Sequence, residues 1–124
     1  MPPALLVVEP DIVIRLAVAA YLRECGYAVT EAGTTDEATA LLKSGTKIDV
    51  AMIDVEATGE FDGFGLAKWM RANAPADAPA KIVLTSGIHR TAKDAACLCE
   101  EGPTLRKPYD HQNLERHIRE LLAR

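Results

Sequence analysis

Aromatic residues are scarce in this sequence of 124 residues, at 5%, so leucine, isoleucine, valine and alanine must supply most of the apolar core. An excess of basic residues is also lacking, because 14 lysines and arginines stand against 18 acidic residues, for a formal net charge of -4. A protein that binds nucleic acid electrostatically needs a basic face. We therefore expect no direct nucleic-acid ligand.

Cysteines are few, and no apolar run is long enough to span a bilayer. Cys25, Cys97 and Cys99 form no CxxC pair and have no histidine-rich partner set, which argues against a zinc site or a disulfide framework. The apolar stretch from Ile12 to Leu22 is interrupted by a charge and is too short to cross a membrane. The N-terminus lacks the features of a signal peptide. We expect a cytoplasmic protein that does not bind a membrane.

Length and composition favour one globular domain. The chain is long enough for one core and too short for two ordinary domains. Its apolar share of 48% and charged share of 26% are typical of soluble globular proteins, and it contains no repeat or low-complexity segment. We therefore predict a single domain over residues 1–124.

Apolar runs that end in polar residues recur along the chain. The run Ile48 to Asp54 is continuously apolar from Val50 to Ile53, which predicts a strand covered on both faces, as in a parallel sheet. Ala4 to Val8 is a similar run. The remaining predicted strands are Tyr27 to Ala32, Ile82 to Leu84 and Thr104 to Arg106.

Segments with helical patterning separate these strands. Asp11 can cap a helix from Ile12 to about Cys25, which is apolar nearly all round, so the sequence does not show which face is buried. The other predicted helices are one capped at Thr35 and ending at Gly45, one with Leu66, Ala67 and Met70 on its apolar side, one from His89 to Glu101, and one with the stripe Leu114, Ile118, Leu121 and Leu122. Regular alternation of strands and helices predicts a parallel sheet with helices on both faces.

Polar side chains follow four of the predicted strands. Glu9 and Asp11 follow the first strand, Asp54 ends the third, Ser86 follows the fourth and Lys107 follows the fifth. In open α/β sheets the functional crevice lies outside the carboxyl ends of the strands. Clustered carboxylates need a divalent ion or an ammonium group between them, and an oxygen-only site suits Mg²⁺. Together with a hydroxyl and a lysine, such a site suits phosphoryl transfer to an aspartate nucleophile.

Five short motifs in order resemble the receiver domain of two-component response regulators: Leu5 to Glu9, Asp49 to Asp54, Asp62-Gly63-Phe64, Leu84 to Gly87 and Leu105 to Tyr109. The resemblance covers essentially the whole chain. It implies a flavodoxin-like (βα)5 three-layer sandwich with a parallel five-stranded sheet of order 2-1-3-4-5. It also implies that Asp54 receives a phosphoryl group from a histidine kinase or a histidine phosphotransferase.

The resemblance also assigns roles to the other polar residues. Lys107 would bind the phosphoryl group, and Ser86 would be the switch hydroxyl, with Thr85 as a one-place alternative. A receiver is not an enzyme with a separate substrate, because it catalyses its own phosphotransfer and dephosphorylation. The candidate Mg²⁺ ligands are Glu9, Asp11, Asp54 and Glu56.

Three features depart from the pattern of this family. Pro10 replaces the second acid, the usual direct Mg²⁺ ligand, and Asp11 comes one residue late. Glu56 stands where the family offers a backbone carbonyl to the metal, and the loop to Asp62-Gly63 is one residue longer. Thr104 occupies a place that often holds an aromatic residue whose rotamer reports phosphorylation. The sequence therefore leaves Mg²⁺ binding open.

The sequence is compatible with different functions. The first is a stand-alone receiver without an output domain, which signals to a downstream protein partner through the fourth and fifth strands and helices. The second is a pseudo-receiver that binds proteins constitutively, which Pro10 favours. A hydrolase or flavin protein of similar fold is disfavoured, since no Gly-rich phosphate loop follows the first strand. The sequence leaves open whether the protein forms a homodimer. The apolar first helix is a candidate kinase-docking face, with Val18 as the position to test.

Overall fold

The computed structural model describes residues 2–86, 104–107 and 109–124, so the helix predicted from His89 to Glu101 lies outside the described residues. The strands are β1 (Ala4–Val8), β2 (Ala28–Ala32), β3 (Val50–Asp54), β4 (Ile82–Ser86) and β5 (Thr104–Arg106). The helices are α1 (Ile12–Glu24), α2 (Thr35–Lys43), α3 (Gly63–Asn73) and α4 (His111–Leu122). The predicted α/β class is confirmed.

All pairs of neighbouring strands are parallel, and their order across the sheet is β2-β1-β3-β4-β5. Val8 lies opposite Ala32 on β2 and Ile53 on β3, and Asp54 lies opposite Thr85 on β4. Because parallel strands all run in one direction, the residues that follow them meet at one edge of the sheet. This edge is where the sequence places its polar groups.

Two apolar layers cover the sheet and form its core. On one face α2 and α3 pack against the sheet through residues that include Ala38, Leu66, Leu6, Val8 and Ile53. On the other face α1 and α4 pack through residues that include Val18, Leu22, Leu114, Val7 and Met52. Since both faces are buried, the central strands are apolar at successive positions rather than at alternate ones.

Each described helix begins after a residue whose side chain accepts a backbone N–H of the first turn: Asp11, Thr34, Asp62 and Asp110. The predicted cap of α2 was one residue late. Thr34 is the cap, while Thr35 is the first helical residue and is buried. The hydroxyl of Thr35 is therefore available for contacts outside its own helix.

Strand ends differ from the prediction because hydrogen bonds to neighbouring strands determine them. β3 begins at Val50 rather than Ile48, and the preceding Asp49 carboxylate accepts the N–H of Ala4 at 2.8 Å. β4 is longer than predicted and ends at Ser86, where its register with β5 continues. The ends of strands thus depend on partners that are distant in sequence.

The structure shows which face of α1 is buried. Val18, Ala19 and Leu22 point into the core, whereas Ile12, Val13 and Leu16 are 58%, 74% and 53% exposed. Val18 itself is only 1% exposed. The choice of Val18 to test docking was therefore wrong, because a substitution there would disturb the core.

In the described part of the chain, no helix combines the length and the apolar character needed to cross a membrane.

Candidate functional site

Asp54 ends β3 and is 2% exposed at the carboxyl edge of the sheet. Its Oδ1 atom accepts the backbone N–H of Glu56 at 2.7 Å, and its Oδ2 atom lies 2.5 Å from Lys107 Nζ. The N–H of Ala57 donates to the Asp54 carbonyl oxygen at 3.0 Å. These bonds hold the carboxylate and the start of the following loop in one arrangement.

Lys107 places its ammonium group between two buried carboxylates. Its Nζ atom lies 2.5 Å from Asp54 Oδ2 and 2.5 Å from Glu9 Oε1. The backbone N–H of Lys107 donates to the Ser86 carbonyl oxygen at 2.7 Å, which ties the residue after β5 to the end of β4. Burial lowers the pKa of Lys107, but its hydrogen bonds to Asp54 and Glu9 outweigh this effect and the pKa is raised. The lysine therefore stays charged between them.

Glu9 follows β1 and is 1% exposed. Burial raises the pKa of the Glu9 carboxyl, the negative charge of Asp54 raises it further, and the hydrogen bonds from Lys107 and the Asp11 N–H offset part of the increase. The Oε2 atom accepts this Asp11 N–H at 3.0 Å. The Oε1 atom lies 2.5 Å from Lys107 Nζ in their ion pair.

The other two candidate metal ligands have different surroundings. Asp11 is exposed, and its Oδ1 atom accepts the N–H groups of Val13 and Ile14 at 2.9 and 3.2 Å, which caps α1. Glu56 is also exposed, and its N–H contacts Asp54. Among the residues that the structure describes, no three Asp, Glu, His or Cys side chains form a group that could hold a metal ion. The fold thus brings Glu9 and Asp54 together, but does not assemble the predicted four-residue set.

Glu9 and Asp54 have the donor chemistry that Mg²⁺ requires. This ion binds oxygen ligands, keeps several waters and commonly uses only one or two carboxylates. The Lys107 ammonium now contacts both carboxylates, which shows that a positive charge is accommodated between them. The Oε1 atom of Glu9, which already contacts a cationic ammonium group, is an oxygen donor that a metal cation would bind in place of the ammonium. The two residues therefore fit a magnesium ion.

Both candidate switch hydroxyls lie at the end of β4. Thr85 is fully buried and Ser86 is 3% exposed. Side chains alternate along a strand, so Thr85 shares the face of Val83, and Ser86 shares the opposite face with Leu84. Among the residues that the structure describes, the buried Oγ1 atom of Thr85 has no hydrogen-bond partner, and Thr85 lies opposite Asp54 in the sheet. The hydroxyls of Thr85 and Ser86 thus approach the site from opposite faces of the sheet.

The Asp62-Gly63 motif has a steric and a capping role. Asp62 Oδ1 accepts the N–H of Gly65 at 2.7 Å and so begins α3. A Cβ atom at Gly63 would collide with the carbonyl oxygen of Asp54. Only glycine therefore allows the loop after Asp54 to return this close to the strand.

Sequence reasoning missed two residues beside the site. Arg15, read only as an interruption of an apolar stretch, donates from its guanidinium to the Glu9 carbonyl oxygen at 2.9 Å and lies 3.5 Å from Glu31 Oε1. A charged residue in an apolar helix was the available signal. The hydroxyl of Tyr109 is buried and has no hydrogen-bond partner within the described part of the chain. Burial, and then the charges of Glu9 and Asp54, raise its pKa.

Comparisons with known proteins agree with this geometry. A family model described as "Response regulator receiver domain" matches residues 5–119. No protein sequence in a search of curated proteins matches the chain. A solved structure from Chloroflexus aurantiacus, described as a response regulator, has a TM-score of 0.84 at 27% identity and covers 100% of both chains.

Two further solved structures show the same architecture. A response regulator receiver protein from Pseudomonas putida has a TM-score of 0.83 at 26% identity, with 97% of this chain and 98% of that chain covered. A CheY-like response regulator receiver domain from Methanospirillum hungatei has a TM-score of 0.85 at 21% identity, with 99% and 95% covered. At the identity of this last structure, the similarity shows the fold alone. The fold is flavodoxin-like.

Receiver domains act in two-component signalling, generally bind Mg²⁺ at their phosphorylation site, and interact with histidine kinases or phosphotransferases and with downstream effectors. The family model spans nearly the whole sequence, and Glu9, Asp54 and Lys107, which belong to three of the motifs that suggested the resemblance, meet at the carboxyl edge of the sheet. The chain belongs to the response regulator receiver domain family.

Proposed function

We propose that Asp54 is the phosphoacceptor of this receiver. An oxygen of its carboxylate attacks the phosphorus of a phosphohistidine, the P–N bond breaks, and the histidine nitrogen leaves with the bonding electrons. The observation that carries this proposal is the Lys107 ammonium, which lies 2.5 Å from the carboxylates of both Asp54 and Glu9. A buried nucleophile with a fixed positive charge beside it suits the transfer of a negatively charged group.

Each neighbouring residue has a role in this proposal. Lys107 moves from Glu9 toward the phosphoryl oxygens and offsets their charge. The hydroxyl of Ser86, or of Thr85 as the alternative, donates to one of these oxygens. Glu9 and Asp54 would hold Mg²⁺, which supplies further positive charge to the phosphoryl group when bound. Asp11 and Glu56 are not needed for this minimal set.

The domain catalyses its own phosphotransfer and its own dephosphorylation in this proposal, so it is not an enzyme with a separate substrate. The same groups that stabilise the charge developed during transfer also stabilise it when water attacks the aspartyl phosphate. The lifetime of the phosphorylated form therefore depends on how water reaches Asp54.

The exposed apolar patch on α1, formed by Ile12, Val13 and Leu16, is the proposed docking face for the histidine kinase or phosphotransferase. These side chains are 58%, 74% and 53% exposed and follow directly after Asp11 at the site edge. Large apolar side chains grouped on an otherwise polar surface are typical of interaction sites. A partner helix bound here would have its histidine near Asp54.

The remaining features of the proposal concern the chain as a whole. Residues 1–124 belong to one receiver domain, located in the cytoplasm. It signals to a protein partner and not to nucleic acid. Full coverage of both chains in the comparison with the Chloroflexus aurantiacus protein supports the single-domain assignment.

A pseudo-receiver that binds proteins without phosphorylation is the second candidate. The specific observation that favours it is the position of Asp11, whose carboxylate caps α1 instead of joining Glu9 and Asp54. Pro10 removes the acid that would otherwise adjoin Glu9. With two carboxylates rather than three, the site would bind Mg²⁺ more weakly.

Intact-mass measurement after incubation with Mg²⁺ and acetyl phosphate separates the two candidates. A working receiver gains one phosphoryl mass, and this gain disappears in Asp54→Asn and after removal of the metal. A folded protein that gains no phosphoryl mass from acetyl phosphate or from a phosphorylated kinase would instead be a pseudo-receiver.

A further inference from the structure

Thr35, the first residue of α2, is fully buried and contacts the loop that follows Asp54. Its hydroxyl donates to the Phe61 carbonyl oxygen at 2.6 Å and lies 3.3 Å from the Thr58 carbonyl oxygen. Its backbone N–H donates to the same Thr58 carbonyl at 2.9 Å. Because Thr34 already caps α2, Thr35 is free to bind this loop.

The neighbouring residue binds the same segment. Asp36 Oδ1 accepts the N–H of Glu60 at 3.0 Å. Gly59, which stands between Thr58 and Glu60, has a φ of +148°. A Cβ atom at Gly59 would collide with Thr35 Oγ1. We call Thr35 and Asp36 the loop seat, since residues 58–61 lie directly on them.

The other end of this loop binds Asp54. Glu56 donates its N–H to Asp54 Oδ1 at 2.7 Å, and Ala57 donates to the Asp54 carbonyl oxygen at 3.0 Å. Only residues 55–57 separate Asp54 from the segment on the loop seat. A shift of that segment would therefore be passed to the N–H of Glu56, which binds the carboxylate, and to the N–H of Ala57, which binds the Asp54 carbonyl oxygen.

We propose that Thr35 is a positioning residue for phosphotransfer: its hydroxyl holds the loop through the Phe61 carbonyl, and the loop holds the Asp54 carboxylate in its attacking orientation. This inference rests on the proposed phosphorylation of Asp54. In-line attack on phosphorus requires a fixed orientation of the nucleophile, and small displacements of a reacting group reduce rates strongly. The loop after β3 is thus stabilised by a buried hydroxyl on another element.

The test compares Thr35→Val, which removes the hydroxyl and keeps the shape, with Thr35→Ser, which keeps the hydroxyl. Thr39→Val is the matched control, because the Thr39 hydroxyl donates to the Asp36 carbonyl within α2 at 3.0 Å. Hydrogen exchange at the amides of Glu56 and Ala57 reports the loop. The rate of labelling by acetyl phosphate with Mg²⁺ reports the chemistry.

In Thr35→Val we expect about a tenfold faster exchange at both amides, as loss of one buried hydrogen bond implies. The maximal labelling rate should fall by a similar factor, while the donor concentration that gives half of this rate stays unchanged. Thr35→Ser and Thr39→Val should resemble the wild type in both measurements. Equal behaviour of Thr35→Val and Thr39→Val would overturn the inference, and so would faster exchange without slower labelling.

Gly59→Ala provides an independent test if Thr35→Val does not fold. It displaces the loop from the opposite side of the same contact, so the same faster exchange and slower labelling are expected. Wild-type rates in Gly59→Ala would contradict the role of the loop seat. If the wild-type protein itself is never labelled, the proposed function fails, and the role of Thr35 in phosphotransfer fails with it. A labelled wild type with unaffected variants refutes only the role of Thr35.

Discussion

Lys107→Met tests whether one ammonium group holds the site together. The substitution keeps most of the side-chain volume and removes the charge that lies 2.5 Å from both Glu9 and Asp54. These two carboxylates are 1% and 2% exposed, so water cannot replace the lost partner fully. The variant therefore contains two uncompensated buried acids.

The expected cost is large for a single side chain. Removing one partner of a buried ion pair typically costs about 3–5 kcal/mol, and we expect the lower end, about 3 kcal/mol, since water reaches part of Lys107. Lys68→Met is the matched control, because Lys68 is exposed on α3 and the change in composition is the same. The control should change the free energy of unfolding by less than about 0.5 kcal/mol.

The pH dependence of stability gives a second signature. The pKa of Glu9 is raised above its usual value of 4.5, so the folded state binds this proton more tightly than the unfolded state does. Stability then falls as pH rises from 4.5 through the pKa of the folded state. Lys107 lowers the pKa of Glu9, so its removal raises this pKa further. The pH interval over which stability falls then widens, and the fall in stability becomes larger.

Urea denaturation followed by circular dichroism at pH 5 and pH 8 measures both effects. Lys107→Met should lose more stability between these pH values than the wild type, and adding Glu9→Gln should recover part of the loss at pH 8. The reasoning is refuted if Lys107→Met is as stable as Lys68→Met at pH 8. It is also refuted if the stability of Lys107→Met increases with pH.

Three further predictions concern docking, the loop and the metal. Val13→Lys should slow phosphotransfer from the kinase at least tenfold without changing labelling by acetyl phosphate. Equal loss of both activities would exclude a docking role for α1. Val18→Lys should instead unfold the domain, because Val18 is buried. Gly63→Ala should cost about 2 kcal/mol or more in urea denaturation, because its methyl group meets the Asp54 carbonyl, and wild-type stability would contradict this. In calorimetric titrations Glu9→Gln should lose Mg²⁺ binding, and Asp11→Asn should keep it, because the Asp11 carboxylate caps α1. Loss of Mg²⁺ binding in both variants would show that Asp11 is also a ligand.

Much of the fold could be predicted because its signals are local. The apolar runs at β1 and β3 and the cap Asp11 of α1 depend on residues within one or two turns of chain. Strand limits were less certain, since they depend on pairing with distant segments. The cap of α2 was misplaced because Thr34 and Thr35 have the same side chain and only the contact with Thr58 and Phe61 distinguishes them.

The candidate site was predictable in its composition and less so in its geometry. A polar residue after each apolar run was visible in the sequence, and parallel strands bring such residues to one edge. In the structure Asp11 caps α1, while Glu9 contacts Lys107. Capping and metal binding use the same carboxylate, so sequence alone does not distinguish them.

The alternation of strands and helices, and the acids and the lysine that end the strands, could be read from the amino-acid pattern, and the family followed from them. Which groups meet became known only from the packed fold: Lys107 with Glu9 and Asp54, and Thr35 with the loop after β3. The packed fold also decided that α1 buries Val18 and exposes Val13. The physical reason is that periodicity and capping act between neighbours in the chain, whereas these contacts join residues far apart, whose meeting depends on how the helices pack on the sheet.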